Sequence, residues 1–349
     1  GWEDMLDVPD LPDDGFPRAS GAAAPRAGGD FFAPSAGVPQ SQRWVQNSQL
    51  AAEHIAGGNF EQAMHLLNKQ CGIVNFSLLK PLFLAIHAGS HAQFTGLPSV
   101  PSMKLALQRN WQDAVWSRHE SIGVPMVSIT LPPLVELLKV GYKAFTDGKL
   151  PDAQGHFETV MRSVPLIVVD SRAEIDEVRE LMHVCREYLS AITMEQARRT
   201  TFKDDPKRGA ELAAYLTHCN LQPLHLLFLL RSAMSIGYKL KNYTMTAGFC
   251  RRILELNPKR EIQDSVMRVL KVCEGTTGNA VAVDYDERNP FVTCCITFKP
   301  IYRGTSSVRC PLCLAQYAQE CSKKLCVVCK LGEIGMDAPG VRNSQQQRN

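Results

Sequence analysis

Two C-x2-C pairs stand close together near the end of the chain, Cys310 with Cys313 and Cys326 with Cys329, in the run CPLCLAQYAQECSKKLCVVC. Each pair suits a tight turn that presents both sulfurs to one ion, and the twelve residues between the pairs allow the two turns to sit at the tips of neighbouring hairpins. Four thiolates at a Zn–S distance of about 2.3 Å complete a tetrahedron. No histidine follows His225, so the ligand set is all cysteine. Four protein ligands leave no open position, which makes the expected ion one structural Zn²⁺ held by Cys310, Cys313, Cys326 and Cys329. The competing reading is a reduced thiol cluster without metal. Cys321, between the pairs, reads as a spare thiol that could substitute as a ligand. Cys294 and Cys295 are adjacent. In a strand they would point to opposite faces, so one is expected to look inward as core.

Other chemistries fit less well. A RING domain needs eight ligands in interleaved order, and only four paired cysteines are present, so a ligase is set aside. A nucleic-acid-binding zinc ribbon is the main alternative, because residues 290–349 hold eight Lys/Arg against three Asp/Glu. Four thiolates and one Zn²⁺ together add −2, and the basic residues are not interleaved with stacking aromatics. The whole-chain charge of +3 also gives no reason to expect a nucleic-acid partner. There is no P-loop, GxGxxG, HExxH or GxSxG. His87 and His91 are spaced i, i+4 without a zincin glutamate. His183 and His218 fall in predicted helices as core or surface residues. Cys185 lies on an apolar stripe and reads as packing rather than as a nucleophile. The reading is non-catalytic.

The elements that must position the cysteines are mostly helical. The spacing predicts helices near 133–146, 151–163, 172–196, 207–218, 222–240, 243–256 and 259–273. In the third, Ile175, Val178, Met182, Cys185, Leu189 and Ile192 recur at steps of three and four, and Ser171 with Glu174 fits a capping box. A helical pattern over 47–69 breaks at Gly57-Gly58. Residues 70–130 are expected to form short helices and ordered loops. An internal repeat runs Ala153, Phe157, Pro165 and again Thr246, Cys250, Pro258, with Ala63 and Leu67 as a partial third copy. A small residue, a larger one four later and a terminal proline resemble the second helix of a tetratricopeptide (TPR) repeat. After Cys273 the texture changes, and DERNPFVTCCITFKPIYRG reads as short strands. The expected fold is therefore mostly α, irregular TPR-like helical hairpins followed by a small β-rich, zinc-ribbon-like domain. The expected boundaries are 1–45, an acidic then Gly/Pro-rich strap; 46–280, the helical domain; 281–335, the β domain with the four-cysteine site; and 336–349, a tail. Within the strap, Phe31, Phe32 and Trp44 are either part of a disordered linker or docked on a partner or on the helical body.

Hydrophobic residues make up 45% and charged residues 21%, values of a globular chain able to build a core. The first residue is Gly1 rather than Met, which suggests a piece of a longer protein. No run of about 18 apolar residues predicts a membrane span. Five of the 12 cysteines are scattered singly and seven cluster between Cys294 and Cys329, a distribution that suggests a reducing compartment with one local site.

Several stretches together resemble the C-terminal region of the coatomer alpha subunit of the COPI vesicle coat. They are GWEDMLDVPDLP, FFAPSAGVPQSQRW, NSQLAAEHIAGGNFEQAMHLL, VPLIVVDSRAEI, CREYLSAITME, AAYLTHCNLQPLH, KLKNYTMTAGFCRRILELNP and NPFVTCCITFKPIYRG with CPLC. The resemblance runs over nearly all 349 residues in order. It implies a non-enzymatic scaffold that binds the coatomer epsilon subunit, a TPR protein, as a heterodimer. It implies a role in Golgi-to-ER and intra-Golgi transport, in the cytoplasm and peripheral to the Golgi membrane. In this family N-terminal β-propellers and an α-solenoid, which these residues do not contain, would meet the other coatomer subunits. A hairpin arm over 290–309 could enter a TPR groove, with Phe291, Phe298, Ile301 and Tyr302 as contacts; packing the small β core is the competing role for the same four.

Overall fold

The fold was obtained as a computed structural model, which describes residues 37–96, 102–109, 123–169, 171–276 and 278–341. Everything below concerns the unit Pro39–Asn349. The expected strap falls outside the described residues up to position 36, Phe31 and Phe32 with it, and so does the end of the tail from 342. Trp44 is described. It lies in helix α1 (Gln40–Asn47) and is 2% exposed, in the chain's own core.

Three helical hairpins share one turn. They are α2 (Ala51–Ala56) with α3 (Phe60–Cys71), α5 (Leu131–Thr146) with α6 (Leu150–Ser163), and α9 (Pro223–Lys239) with α10 (Tyr243–Glu255). At the centre of each turn stands one left-handed residue, Gly58 at φ 86°, Gly148 at φ 74° and Lys241 at φ 55°. The next amide returns to a carbonyl five residues back: Asn59 to His54 at 2.9 Å, Lys149 to Ala144 at 2.9 Å and Asn242 to Gly237 at 3.0 Å. Asn59 and Asn242 then cap the second helix, their side chains accepting from the amides of Gln62 and Met245.

The repeat positions do what their sizes predict. Ala63, Ala153 and Thr246 are each 0% exposed, and Leu67, Phe157 and Cys250 follow at 1%, 0% and 0%. Glycines in the first helices complete the close approach. A Cβ on Gly141 would lie 2.9 Å from the Phe157 ring, and one on Gly237 would lie 2.7 Å from the Thr246 hydroxyl. The hairpins are therefore TPR-like in packing although irregularly spaced along the chain.

Between the second and third hairpins run α7 (Arg172–Arg199) and α8 (Pro206–Leu216), and α11 (Arg260–Glu274) follows the third. The Ser171 hydroxyl accepts from the Glu174 amide at 3.3 Å, as the cap signal predicts. Along α7, Val178, Met182, Cys185, Leu189 and Ile192 are buried on one stripe. Burial pushes the Cys185 thiol up to about 12, which fits packing.

The segment 70–130 holds α4 (Lys80–Gly89) and also an antiparallel pair that the sequence did not predict, β1 (His91–Phe94) with β2 (Met103–Ala106), His91 opposite Ala106. Phe94, Met103 and Leu105 are all exposed, so neither strand shows an alternating pattern to read.

Two more pairs follow α11: β3 (Phe291–Thr293) with β4 (Pro300–Tyr302), and β5 (Ser307–Arg309) with β6 (Gln316–Ala318). One core joins the first two hairpins, α7 and the cysteine-bearing segment, while α8–α11 surround a second. The cysteine segment thus packs into the helical body. Its residues 330–333 lie against the end of α3, where Val74 and Asn75 amides donate to Leu331 O at 2.9 and 3.1 Å and Glu333 N–H donates to Gly72 O at 2.9 Å.

Candidate metal centre

Each C-x2-C pair forms the same knuckle. After Cys310 and Cys313 comes Leu314 at φ 60°, whose amide donates to Cys310 O at 2.9 Å. After Cys326 and Cys329 comes Lys330 at φ 59°, whose amide donates to Cys326 O at 2.9 Å. The antiparallel β5–β6 pair holds the first knuckle, closed by Cys310 N–H to Ala315 O at 3.0 Å. The second is closed by Cys326 N–H to Gly332 O at 2.9 Å.

The four sulfurs converge. All lie within 4.8 Å of one another, with Cys310–Cys329 at 3.7 Å and Cys313–Cys326 at 3.5 Å. Sulfurs at the corners of a tetrahedron with Zn–S of about 2.3 Å stand about 3.8 Å apart, whereas a disulfide needs about 2.05 Å. The spacing therefore fits a shared cation. None of the four is more than 2% exposed, so a charged thiolate there needs a counter-charge. Burial pushes the Cys313 thiol well up. Burial also acts to raise Cys326, but hydrogen bonds from Cys310, Cys313, Cys329 and Tyr317 outweigh it and hold Cys326 well below the usual thiol range. A coordinated ion deprotonates all four. Four buried cysteines are close enough to hold a metal ion, and they fill a tetrahedron among themselves.

Neighbours that spacing alone did not reveal complete the site. Tyr317, fully buried on β6, donates its hydroxyl to Cys326 Sγ at 2.9 Å. Gly332 N–H donates to Cys329 Sγ at 3.5 Å, and a Cβ on Gly332 would stand 3.0 Å from Cys310 Sγ. The Lys330 ammonium reaches Glu158 of α6 at 2.7 Å, and the Asn75 side chain donates to Lys330 O at 2.9 Å. The one available signal was Tyr317 standing in the alternating position of a short strand.

Among the described residues Cys321, Cys294 and Cys295 do not join this cluster. The expectation for Cys294 and Cys295 needs correction. Both are buried, because they occupy a turn rather than a strand and strand alternation does not apply. Cys295 faces Ser190 of α7 at 3.5 Å, whereas Cys294 accepts from the Ala318 amide at 3.4 Å.

The four hairpin residues lie along the helical body. Phe291 contacts the rings of His218, Tyr215 and Tyr302 at centroid distances of 4.9, 5.4 and 6.0 Å. Ile301 is 8% exposed. Phe298 O accepts from the Arg208 guanidinium at 2.9 Å, and Phe298 and Tyr302 are half-buried.

The family described as the C-terminus of the coatomer (COPI) alpha subunit matches the chain over residues 1–349. The chain is 41% identical over 347 residues to coatomer subunit alpha-2 of Oryza sativa subsp. japonica, covering 99% of this chain and 28% of that protein. It is 41% identical over 349 residues to coatomer subunit alpha-1 of Arabidopsis thaliana, with the same 99% and 28%. To coatomer subunit alpha of Dictyostelium discoideum it is 36% identical over 352 residues, covering 98% and 28%. The chain thus spans 28% of the length of these relatives.

Proposed function

The chain belongs to the family formed by the C-terminus of the coatomer (COPI) alpha subunit, and from that premise we propose that it is a non-catalytic docking module of the COPI coat. Its partner is the TPR-containing coatomer epsilon subunit, bound as a heterodimer. Its place is the cytosolic face of Golgi membranes and vesicles, reached through the rest of the coat in Golgi-to-ER and intra-Golgi transport.

The observation that carries this reading is a family match over the full chain, joined to a helical body with apolar side chains left in solvent. Val140 on α5 is 49% exposed, and Leu224 and Phe228 on α9 are 51% and 40% exposed. Curved stacks of helical hairpins offer broad surfaces of this kind to a partner. The accessible parts of Phe298 and Tyr302 extend the proposed contact onto the β3–β4 hairpin.

The ion proposed at Cys310, Cys313, Cys326 and Cys329 is one Zn²⁺, chosen because an all-thiolate tetrahedron favours it over harder cations. Its role is to hold the two knuckles against α3 and α6. Four sulfur ligands leave it no position for a substrate.

The test is to mix the zinc-replete chain with purified epsilon subunit and follow size-exclusion elution with light scattering. A one-to-one complex that weakens on Phe228→Ala or Leu224→Ala supports the reading. Separate elution of the two proteins at micromolar concentration refutes it.

A further inference from the structure

A groove opens where the C-terminal end of α7, the turn after it, the first turn of α8 and the C-terminal end of α9 meet. It encloses about 450 Å³. Phe202, Ile236 and Leu240, each half-buried, form its apolar floor. Gly209 of α8 lines it as well. A Cβ on Gly209 would meet no atom outside its own helix nearer than Phe202 O, at 3.9 Å. Packing therefore does not require glycine at this position, and glycine weakens a helix relative to alanine. What the bare backbone does is deepen the groove.

Cations rim this groove. Arg198, Arg199, Lys203 and Lys239 line it, and the Arg199 side chain is 60% exposed. The two arginines share one carboxylate. Glu195, its side chain 10% exposed, accepts from Arg198 Nε and Nη2 at 2.8 and 2.7 Å and from Arg199 Nε at 2.6 Å. A guanidinium carries five N–H donors, so Glu195 holds both forks in place and leaves donors on each for a ligand. Lys203 and Lys239 are exposed and make no ion pair among the described residues. Asp205 on the rim already accepts from the Arg208 amide at 2.9 Å as the cap of α8. Four cations against the carboxylates of Asp205 and Glu195 leave a net charge of +2.

We propose that this groove docks an acidic peptide segment of a partner protein, anchored by one leucine or aromatic side chain. Rim and floor together select this occupant. Carboxylates along the segment meet the cationic rim, with Arg199 offering a fork that matches carboxylate geometry. The anchor side chain fills the recess over Gly209 and covers Phe202, Ile236 and Leu240. A bare phosphate would leave that floor uncovered, and single-stranded nucleic acid would call for a series of stacking aromatics where the groove has Phe202. The groove is separate from the surface proposed for the epsilon subunit. Ile236 lies twelve residues beyond Leu224 on α9, about 18 Å along the helix.

The test selects random 16-residue peptides displayed on phage against the zinc-replete full chain, then measures the enriched peptides by fluorescence anisotropy. The enriched peptides should be acidic with one leucine or aromatic residue. The charge reversal Lys203→Glu with Lys239→Glu should weaken their binding about tenfold or more, and so should Gly209→Leu, which fills the recess without changing charge. Arg268→Glu with Lys271→Glu, an equal charge change on α11, should leave binding as it was. Raising salt from 50 to 200 mM should weaken binding several-fold. The proposal is overturned if no peptide is enriched, if the enriched peptides are neutral or basic, or if their binding survives both groove variants. It is also overturned if phosphatidylserine vesicles or duplex DNA bind the groove more tightly than the peptides do. Should Gly209→Leu lose helical circular dichroism, the exposed lysine pair decides. No arm involves the epsilon subunit, so failure here leaves that reading standing.

Discussion

Substituting Gly72 by alanine tests whether the cysteine segment is docked on the helical body as described. Gly72 ends α3 at φ 65°, and a Cβ there would stand 2.5 Å from Cγ of Pro311, inside the first knuckle. Two costs then add. A left-handed alanine costs about 1–2 kcal/mol, less about 0.4–1 kcal/mol regained because alanine restricts the unfolded chain. Overpacking against Pro311 costs a further 1–3 kcal/mol, roughly. Gly148 supplies the control, at φ 74° with nothing within 4 Å of its would-be Cβ. Gly148→Ala carries the backbone cost alone, about 1 kcal/mol. Urea unfolding of the zinc-replete protein should therefore place Gly72→Ala about 1–3 kcal/mol below Gly148→Ala. Zinc release to a chromogenic chelator should also be faster in Gly72→Ala. Equal unfolding midpoints for the two variants, with equal zinc release, would refute the docking of the knuckle on α3.

Three further outcomes follow from the same geometry. Tyr317→Phe removes the hydroxyl that donates to Cys326 Sγ and should weaken zinc by about 10–100-fold in chelator competition, with helical content unchanged. Replacing Cys326 and Cys329 together by serine should abolish stoichiometric zinc by elemental analysis and loosen the C-terminal segment, while circular dichroism keeps most of the signal from the helices between 131 and 274. Acid should weaken the fold through His225, which is 1% exposed and bridges Thr146 at 2.8 Å and Tyr188 at 2.6 Å. The Thr146 hydroxyl donates to Tyr142 O, so Nε2–H donates to Thr146 and Nδ1 accepts from Tyr188. Burial pushes His225 below the usual imidazole range. The unfolded chain thus binds this proton more readily, and the contribution is whole above about pH 6.5 and is lost as pH falls from there through the lower folded value. A His225→Gln variant should show a smaller drop in melting temperature between pH 7.5 and pH 5 than the wild type.

Periodicity located the seven helices from 131 onward because their apolar stripes are long. On α7 five buried residues repeat the pattern. The repeat positions were legible for the same reason: Ala153 and Thr246 are small where two backbones approach. The four clustered cysteines were legible because thiolates on a knuckle must be spaced C-x2-C. The β1–β2 pair was not, since its strands are four residues each and largely exposed. Reading Cys294-Cys295 as a strand failed because a left-handed Phe298 closes a turn there, and no residue type announces that conformation in a phenylalanine. Tyr317, Gly332 and Glu158 were hidden for a different reason: their roles depend on which segments meet in space, and spacing within one segment carries no trace of it.

The bond from the Asn75 side chain to Lys330 O joins residues 255 positions apart. On a ribosome adding about 5–20 residues per second, the partner of Asn75 emerges roughly 13–50 s after it. Throughout that interval the end of α3 and the residue pair after it present Cys71 and Ile73, both buried in the finished fold, to whatever else is nascent nearby. The end of α3 is thus made well before the segment that seals it. Chaperone occupancy during synthesis should concentrate on this stretch and end when the second knuckle has left the exit tunnel.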